Sequence, residues 1–288
     1  MRALPVIRAA AVALGVVLVP FAAQARQLQV VTTLTTLAAL VQPIAGPDAA
    51  VTSLVPVGAS PEEYQPSPAD IVKLHNADIL IENGAGLETW LARTIANAKN
   101  PTLRVVVCTD GLPIRDKNPH LWMDPLLARL YVAKIAAALE RADPTHSMSY
   151  AQRARTYDKA IVALAVRTSR KIQTIPAAQR TMIVYHNAWE YYARRFGLRL
   201  LGVLEVSPGR DPSPSEVAHL VDLAKRYHAR AIFTEPEYSP KLAQALAHSA
   251  GIKIVADLYD DSVGTDPRVA TYIGMIDYDT DTIVNALK

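Results

Sequence analysis

Residues 144–174 read PTHSMSYAQRARTYDKAIVALAVRTSRKIQT, and this stretch decides how the chain is organised. It carries no strand signal, while Tyr150, Tyr157, Ile161 and Leu164 recur at helical spacing. Asp143 and Pro144 supply a cap and a first helical residue in front of it. A helix of about 30 residues runs ~45 Å, long enough to cross from one domain to another. Two shorter helices meeting at a kink are the alternative.

Both flanks of this stretch alternate short strands with helices. Upstream, Leu28–Thr32, Val51–Val55, Ile79–Glu82 and Leu103–Val107 are runs rich in Val, Ile or Leu, bounded by Gly, Pro, Asn or Asp. Downstream, Thr181–Tyr185, Arg199–Leu204, Ala231–Thr234 and Ile252–Ala256 have the same character. Helical patterns such as Pro68–Asn76, Leu87–Ala98, Pro214–Tyr227 and Pro240–Ala250 fall between them. The fold class expected is α/β: two parallel-sheet α/β domains, 26–143 and 176–288, joined by one long rigid helix near 144–175. A length of 288 residues suits two domains of ordinary size, and a composition half hydrophobic and one-fifth charged suits sizeable cores.

Residues 1–25 are set apart. Arg2 and Arg8 precede or border an uncharged apolar run, Ala9–Ala23, and Ala23-Gln24-Ala25 offers a small-x-small cleavage pattern. The run is too short for a comfortable membrane span, so a cleaved secretory signal peptide is expected. No cysteine follows it for lipid attachment, and the single cysteine, Cys108, excludes an internal disulfide framework. A soluble periplasmic protein without a lipid anchor is the expectation. A net charge of only +3 with no basic block argues against nucleic acid as a partner.

The loops leaving the strands hold most of the informative prolines: Pro61, Pro66 and Pro68, then Pro119 and Pro125, then Pro208, Pro212 and Pro214, then Pro236 and Pro240. Open α/β sheets bind ligands at these carboxyl ends, and proline lowers the entropy lost when such loops order. Common catalytic signatures such as G-x-S-x-G, G-x-x-x-x-G-K-[ST], H-E-x-x-H and G-x-G-x-x-G are missing. What the strand ends do carry is Glu62, His120, His186 and Asp261, with Glu235 nearby. Imidazoles and carboxylates meeting in one crevice are the materials of a divalent-metal site. His75, His146, His219, His228 and His248 lie in or near helices and read as surface or capping residues; Cys108 reads as a small buried residue. Asp124 reads as the cap of a helix opening at Pro125, with a supporting role toward His120 as the rival reading. Glu235 is a candidate support for the site, and Trp122, Trp189 and Tyr64 are candidate walls of the crevice.

Five ordered segments resemble the cluster A-I solute-binding proteins of zinc and manganese ABC importers. GASPEEYQPSPAD at 58–70 is similar to the family's G-x-D-P-H-x-Y-E-P-[ST]-P-x-D segment, and NPHLWMDP at 118–125 to its D-P-H-x-W-x-D-P segment. HNAWEYYARRFGL at 186–198 resembles the third ligand segment; Phe233–Pro236 and Asp261–Val263 resemble two downstream landmarks. The resemblance implies one divalent metal ion (manganese, zinc or iron), a permease partner as the sole link to the membrane, a monomer, and no enzyme activity. It implies metal ligands at His120, His186 and Asp261, with Glu62 where the family usually has histidine.

That departure leaves alternatives open. Glu62 ligates through a carboxylate oxygen, or a three-residue site keeps a water, or Glu63 serves instead after a loop rotation. Two carboxylates with two neutral imidazoles balance a divalent charge, and such a set suits manganese or ferrous iron. Zinc members often carry a His- and Asp-rich loop before the second ligand, whereas 109–119 here has no histidine. Intrinsic affinity nevertheless favours zinc over manganese. Rival readings are a metal-dependent hydrolase, with Glu62 as base, and a periplasmic metallochaperone or adhesin without a permease.

Overall fold

The computed structural model describes residues 26–205, 207–256 and 258–288; the expected signal peptide lies outside the described residues. The first half runs β1 (Leu28–Thr32), α1 (Thr35–Ala45), β2 (Ala49–Ser53), α2 (Pro68–Asn76), β3 (Ile79–Glu82), α3 (Leu91–Ala98), β4 (Arg104–Val107) and α4 (Pro125–Ala142). After α5 (Ser147–Gln173), the second half runs β5 (Thr181–Val184), α6 (Glu190–Phe196), β6 (Arg199–Val203), α7 (Pro214–Arg226), β7 (Ala231–Phe233), α8 (Lys241–Ala250), β8 (Lys253–Val255) and α9 (Tyr272–Leu287). Two parallel sheets result, ordered β2-β1-β3-β4 and β6-β5-β7-β8. In each, the chain steps outward from its first strand and then returns to the other side. The switch points therefore fall between β1 and β3 and between β5 and β7, where a crevice opens at the carboxyl ends.

Local chemistry starts the helices where the site needs them. Ser67 and Asp70 form a reciprocal capping box with Pro68 at the first turn of α2, and Ser213, Glu216 and Pro214 repeat the device on α7. Asp124 caps α4 by accepting from the Leu126 N–H. α3 opens at Leu91, not at Leu87 as expected. Gly84, Ala85 and Gly86 take positive φ, and the Glu88 carboxylate turns back to accept from the Asn83 and Gly84 N–H groups. β2 ends two residues earlier than expected, although Leu54 and Val55 still donate to the Thr32 and Thr33 carbonyls.

α5 is one continuous 27-residue helix, preceded by a single tight turn at Pro144–His146, so the kinked alternative is set aside. Its buried stripe, Tyr150, Ala154, Tyr157, Ile161, Leu164, Ala165, Thr168 and Ile172, packs on helices of both halves. Arg153 donates to the last carbonyls of α1, Ile44 at 2.6 Å and Ala45 at 2.9 Å, and pairs with Asp48 at 2.7 Å. Toward its other end Arg167 grips Asp277 of α9. Trp122, Tyr150, Trp189, Tyr192 and Tyr272 are fully buried in one hydrophobic core running through both halves. Among the described residues no helix is long and apolar enough to cross a membrane.

Candidate metal centre

His186 is held by the strand that precedes it. All four residues of β5 are buried, and the ladder continues past the strand ends, with Leu204 N–H donating to Val184 O and Glu205 N–H to Tyr185 O. His120 sits between β4 and α4, in a loop fixed by Asn118: its Oδ1 accepts from the His120 N–H at 3.0 Å and lies 2.8 Å from His120 Nδ1. The Asn118 Nδ2 donates to Asn187 O, so Oδ1 is the acceptor and the His120 proton belongs on Nδ1. The Asp261 backbone is tied to the first half. Thr36 Oγ1 donates to the Asp260 and Asp261 carbonyls, and Trp122 Nε1 to the Asp260 carbonyl at 2.8 Å.

These three side chains meet. His120 Nε2 lies 3.6 Å from Asp261 Oδ1, and His186 Nε2 lies 3.5 Å from Asp261 Oδ2. All three residues are buried. The His120 Nε2, the His186 Nε2 and both Asp261 oxygens have no hydrogen-bond partner. Buried polar atoms left this way are costly, and donor atoms within 4.8 Å of one another can share a cation.

Glu62 stands outside this tight triad but on the wall of the same cavity, about 140 Å³, with His120, His186 and Glu205. The Pro61 carbonyl beside it accepts from Trp90 Nε1 at 2.8 Å. Glu63 is exposed, with its carboxylate against Gly209. Glu235 accepts from His186 Nδ1 at 2.8 Å and from Trp189 Nε1 at 3.0 Å, which leaves the His186 Nε2 facing the triad.

Asp124 caps its helix as expected, without the rival role toward His120, and the expectation for Tyr64 is corrected. The Asp124 carboxylate is taken up by its helix cap and by Arg195 of α6, at 2.6–2.8 Å, and His120 turns to Asn118 instead. Tyr64 does not wall the crevice: its hydroxyl donates to Asp70 at 2.8 Å and its ring meets Trp90 edge-on. Tyr238, which the sequence did not single out, packs against the site, its ring 5.2 Å from that of His186 and stacked on Tyr185. Asn118, Glu205 and Asp260 were also missed. Asp260 could have been noticed as the twin of Asp261; Glu205 as one more polar residue just beyond a strand end.

The electrostatics suit a cation. Burial pulls the His120 imidazole down to about 3, so it is neutral with a free Nε2 lone pair. Burial opposes charge on His186 too, but Glu235, Asp260 and Asp261 overcome it and hold the ring well above its ordinary range. Burial works upward on Asp261, yet the neighbouring His186 and His120 imidazoles keep it low and ionised. Glu62 is pushed up to about 7, by burial first and then by Asp261, Glu205 and Glu63, against His186. Negative charge is crowded here beyond what one imidazolium balances, and a divalent cation would relieve it.

The family model for the periplasmic zinc-uptake complex component A matches residues 30–286. The chain belongs to that family. Two curated relatives are similar over nearly their whole length. The manganese-binding lipoprotein MntA of Halalkalibacterium halodurans is 30% identical over 266 residues, 91% of this chain and 89% of the relative. The iron-binding protein YfeA of Yersinia pestis is 33% identical over 267 residues, 90% of this chain and 86% of the relative. The solved structure of the periplasmic zinc-binding protein TroA from Treponema pallidum superposes with a TM-score of 0.85 at 27% identity, covering 91% of this chain and 99% of that one. Membership makes this zinc-uptake-family chain a metal-binding solute-binding component of an ABC importer, periplasmic or extracellular, and not a hydrolase.

Proposed function

We propose that the chain captures one divalent transition-metal ion, manganese, ferrous iron or zinc, between its two halves and delivers it to the importer's permease. The ligands in this reading are Glu62, His120, His186 and Asp261. The observation that carries it is the set of four unpartnered buried atoms on His120, His186 and Asp261, pointed at one another. Glu62 lines the same cavity and supplies the second carboxylate that balances a divalent charge against two neutral imidazoles. Two imidazoles with two carboxylates suit manganese or ferrous iron by donor type. Relatives named for manganese, iron and zinc span the same range.

The domain division 26–143, 144–175 and 176–288 belongs to this reading: Glu62 and His120 come from the first unit, His186 and Asp261 from the last. Because α5 is clamped to α1 and α9, capture and release work through the site loops with little movement of the halves. One chain closes the site unaided, in keeping with a monomer. Cys108, the single cysteine, is buried at the end of β4 and unsuited to acylation, which favours a periplasmic form without lipid even though MntA is named a lipoprotein.

The test is a parallel titration of chelator-stripped residues 26–288 with Zn²⁺ and Mn²⁺, wild type beside Glu62→Ala and His186→Ala. One ion per chain, abolished in His186→Ala and sharply weakened in Glu62→Ala, is expected. Unchanged binding in Glu62→Ala would mean a three-residue site completed by water. Binding of neither ion by the wild type would overturn the reading.

A further inference from the structure

Beyond the four proposed ligands, Asp116 and Glu205 also line the cavity, and of these two carboxylates Glu205 is the buried one. We propose that Glu205 is an additional oxygen donor to the bound ion and biases the site toward oxygen-preferring ions that accept five or six donors, such as Mn²⁺, over Zn²⁺. This rests on the ion-binding reading above.

The backbone brings Glu205 there. β5 and β6 pair in parallel with Val184 opposite Val203, and the Glu205 N–H continues the ladder to the Tyr185 carbonyl. His186 and Glu205 are therefore neighbours, each just past the end of its strand, and both line the cavity with Glu62 and His120. Glu205 is only 9% exposed. Its Oε1 accepts from the Gly209 N–H at 2.7 Å, where the loop turns back through a positive φ of 70°. That anchor leaves Oε2 buried with no hydrogen-bond partner, and among the described residues no ion pair reaches this carboxylate.

A carboxylate held by one oxygen, with the other buried and unpartnered beside a cavity lined by two imidazoles and Glu62, has the form of a ligand. It is not explained as a loop staple, because a staple needs only the oxygen facing Gly209. With Glu205 the donor set becomes two nitrogens and at least three oxygens. Zinc is satisfied by four donors in a tetrahedron, so an extra oxygen adds little to its binding. Manganese takes higher coordination with oxygen donors and gains more from it.

The discriminating variant is Glu205→Gln, which keeps an oxygen for the Gly209 N–H and removes the anionic donor. Mn²⁺ affinity is expected to fall by about 10- to 100-fold and Zn²⁺ affinity by less than about threefold, in line with losses on removing groups that tune metal sites. X-ray absorption at the manganese edge should count one fewer oxygen or nitrogen neighbour in the loaded variant than in the wild type. Equal losses for the two ions, or unchanged affinity with an unchanged neighbour count, would overturn the assignment. A wild type that binds neither ion would instead bring down the underlying reading, before any Glu205 variant is compared. Glu205→Asp, which retains the charge on a shorter arm, should recover part of the Mn²⁺ preference; no recovery beyond Glu205→Gln would count against direct ligation.

Discussion

Replacing Asn118 with alanine should separate what holds the metal site in shape from what binds the ion. Asn118 is 3% exposed and touches no other proposed ligand than His120. Its side chain makes four contacts: to the His120 N–H at 3.0 Å, His120 Nδ1 at 2.8 Å, Asn187 O at 2.7 Å and Glu190 Oε2 at 3.3 Å. The last two cross to the second half of the molecule. Removing them strands the His120 N–H and Nδ1–H in a buried place and takes the amide donor from the Asn187 carbonyl. At about 1 kcal/mol per hydrogen bond, with some partners left unsatisfied, Asn118→Ala should lose about 2–4 kcal/mol of folding stability. Freed from Asn118, the His120 ring can adopt the other tautomer or rotate, and ion affinity should fall by about 10- to 100-fold. Asn118→Asp keeps an acceptor for Nδ1 but loses both donors. It should therefore bind the ion nearly as the wild type does while remaining less stable. Competition titrations with a fluorescent chelator report the affinity, and urea denaturation of the metal-free proteins reports the stability. Asn118→Ala within about twofold of wild-type affinity would refute the claim that this amide sets the working tautomer.

Two further outcomes follow from the same structure. A saturating ion at about 1,000 times its Kd should add about 4 kcal/mol and raise Tm by roughly 8–16 °C in differential scanning calorimetry, reversed by chelator and absent in Asp261→Ala. Glu82, at the end of β3, is pushed up to about 7, by burial first and then by the charge of Glu88. Its folded-state proton is held more tightly than the unfolded one, so this group favours folding below the unfolded pKa and loses that contribution as pH rises through about 7. The Tm difference between Glu82→Gln and wild type should thus be near zero at pH 4.5 and become stabilising by pH 8; a constant difference would contradict it.

Much of the architecture was legible because hydrophobic periodicity is local. Leu28–Thr32 and Ile79–Glu82 are strands over the residues expected, and the stripe from Tyr150 to Leu164 marks α5. What misled the reading was chemistry that reaches beyond its own segment. Leu87–Trp90 has a helical pattern, but Glu88 serves Asn83, Gly84 and Thr33 of the preceding turn, delaying α3. α9 was not singled out, since Asp277, Asp279 and Asp281 break its apolar pattern. The structure accounts for them: Asp277 meets Arg167, Asp281 meets Lys171, and the buried Asp279 accepts from the Tyr259 N–H. At the site, His120, His186 and Asp261 fall in segments that follow strands and carry the family pattern. Glu205 has no such pattern. In the sequence it is one acid in a loop rich in proline and glycine, and only the parallel register of β6 against β5 sets it beside His186.

One ion is expected where the two halves meet. Anomalous diffraction from crystals of the Mn²⁺-loaded protein, recorded on both sides of the manganese edge, tests it most directly. One strong peak per chain is expected, within about 2.0–2.4 Å of His120 Nε2, His186 Nε2 and an Asp261 oxygen, with Glu62 drawn to it. A peak elsewhere on the molecule, or none at that point in protein shown to carry one ion per chain, would contradict it.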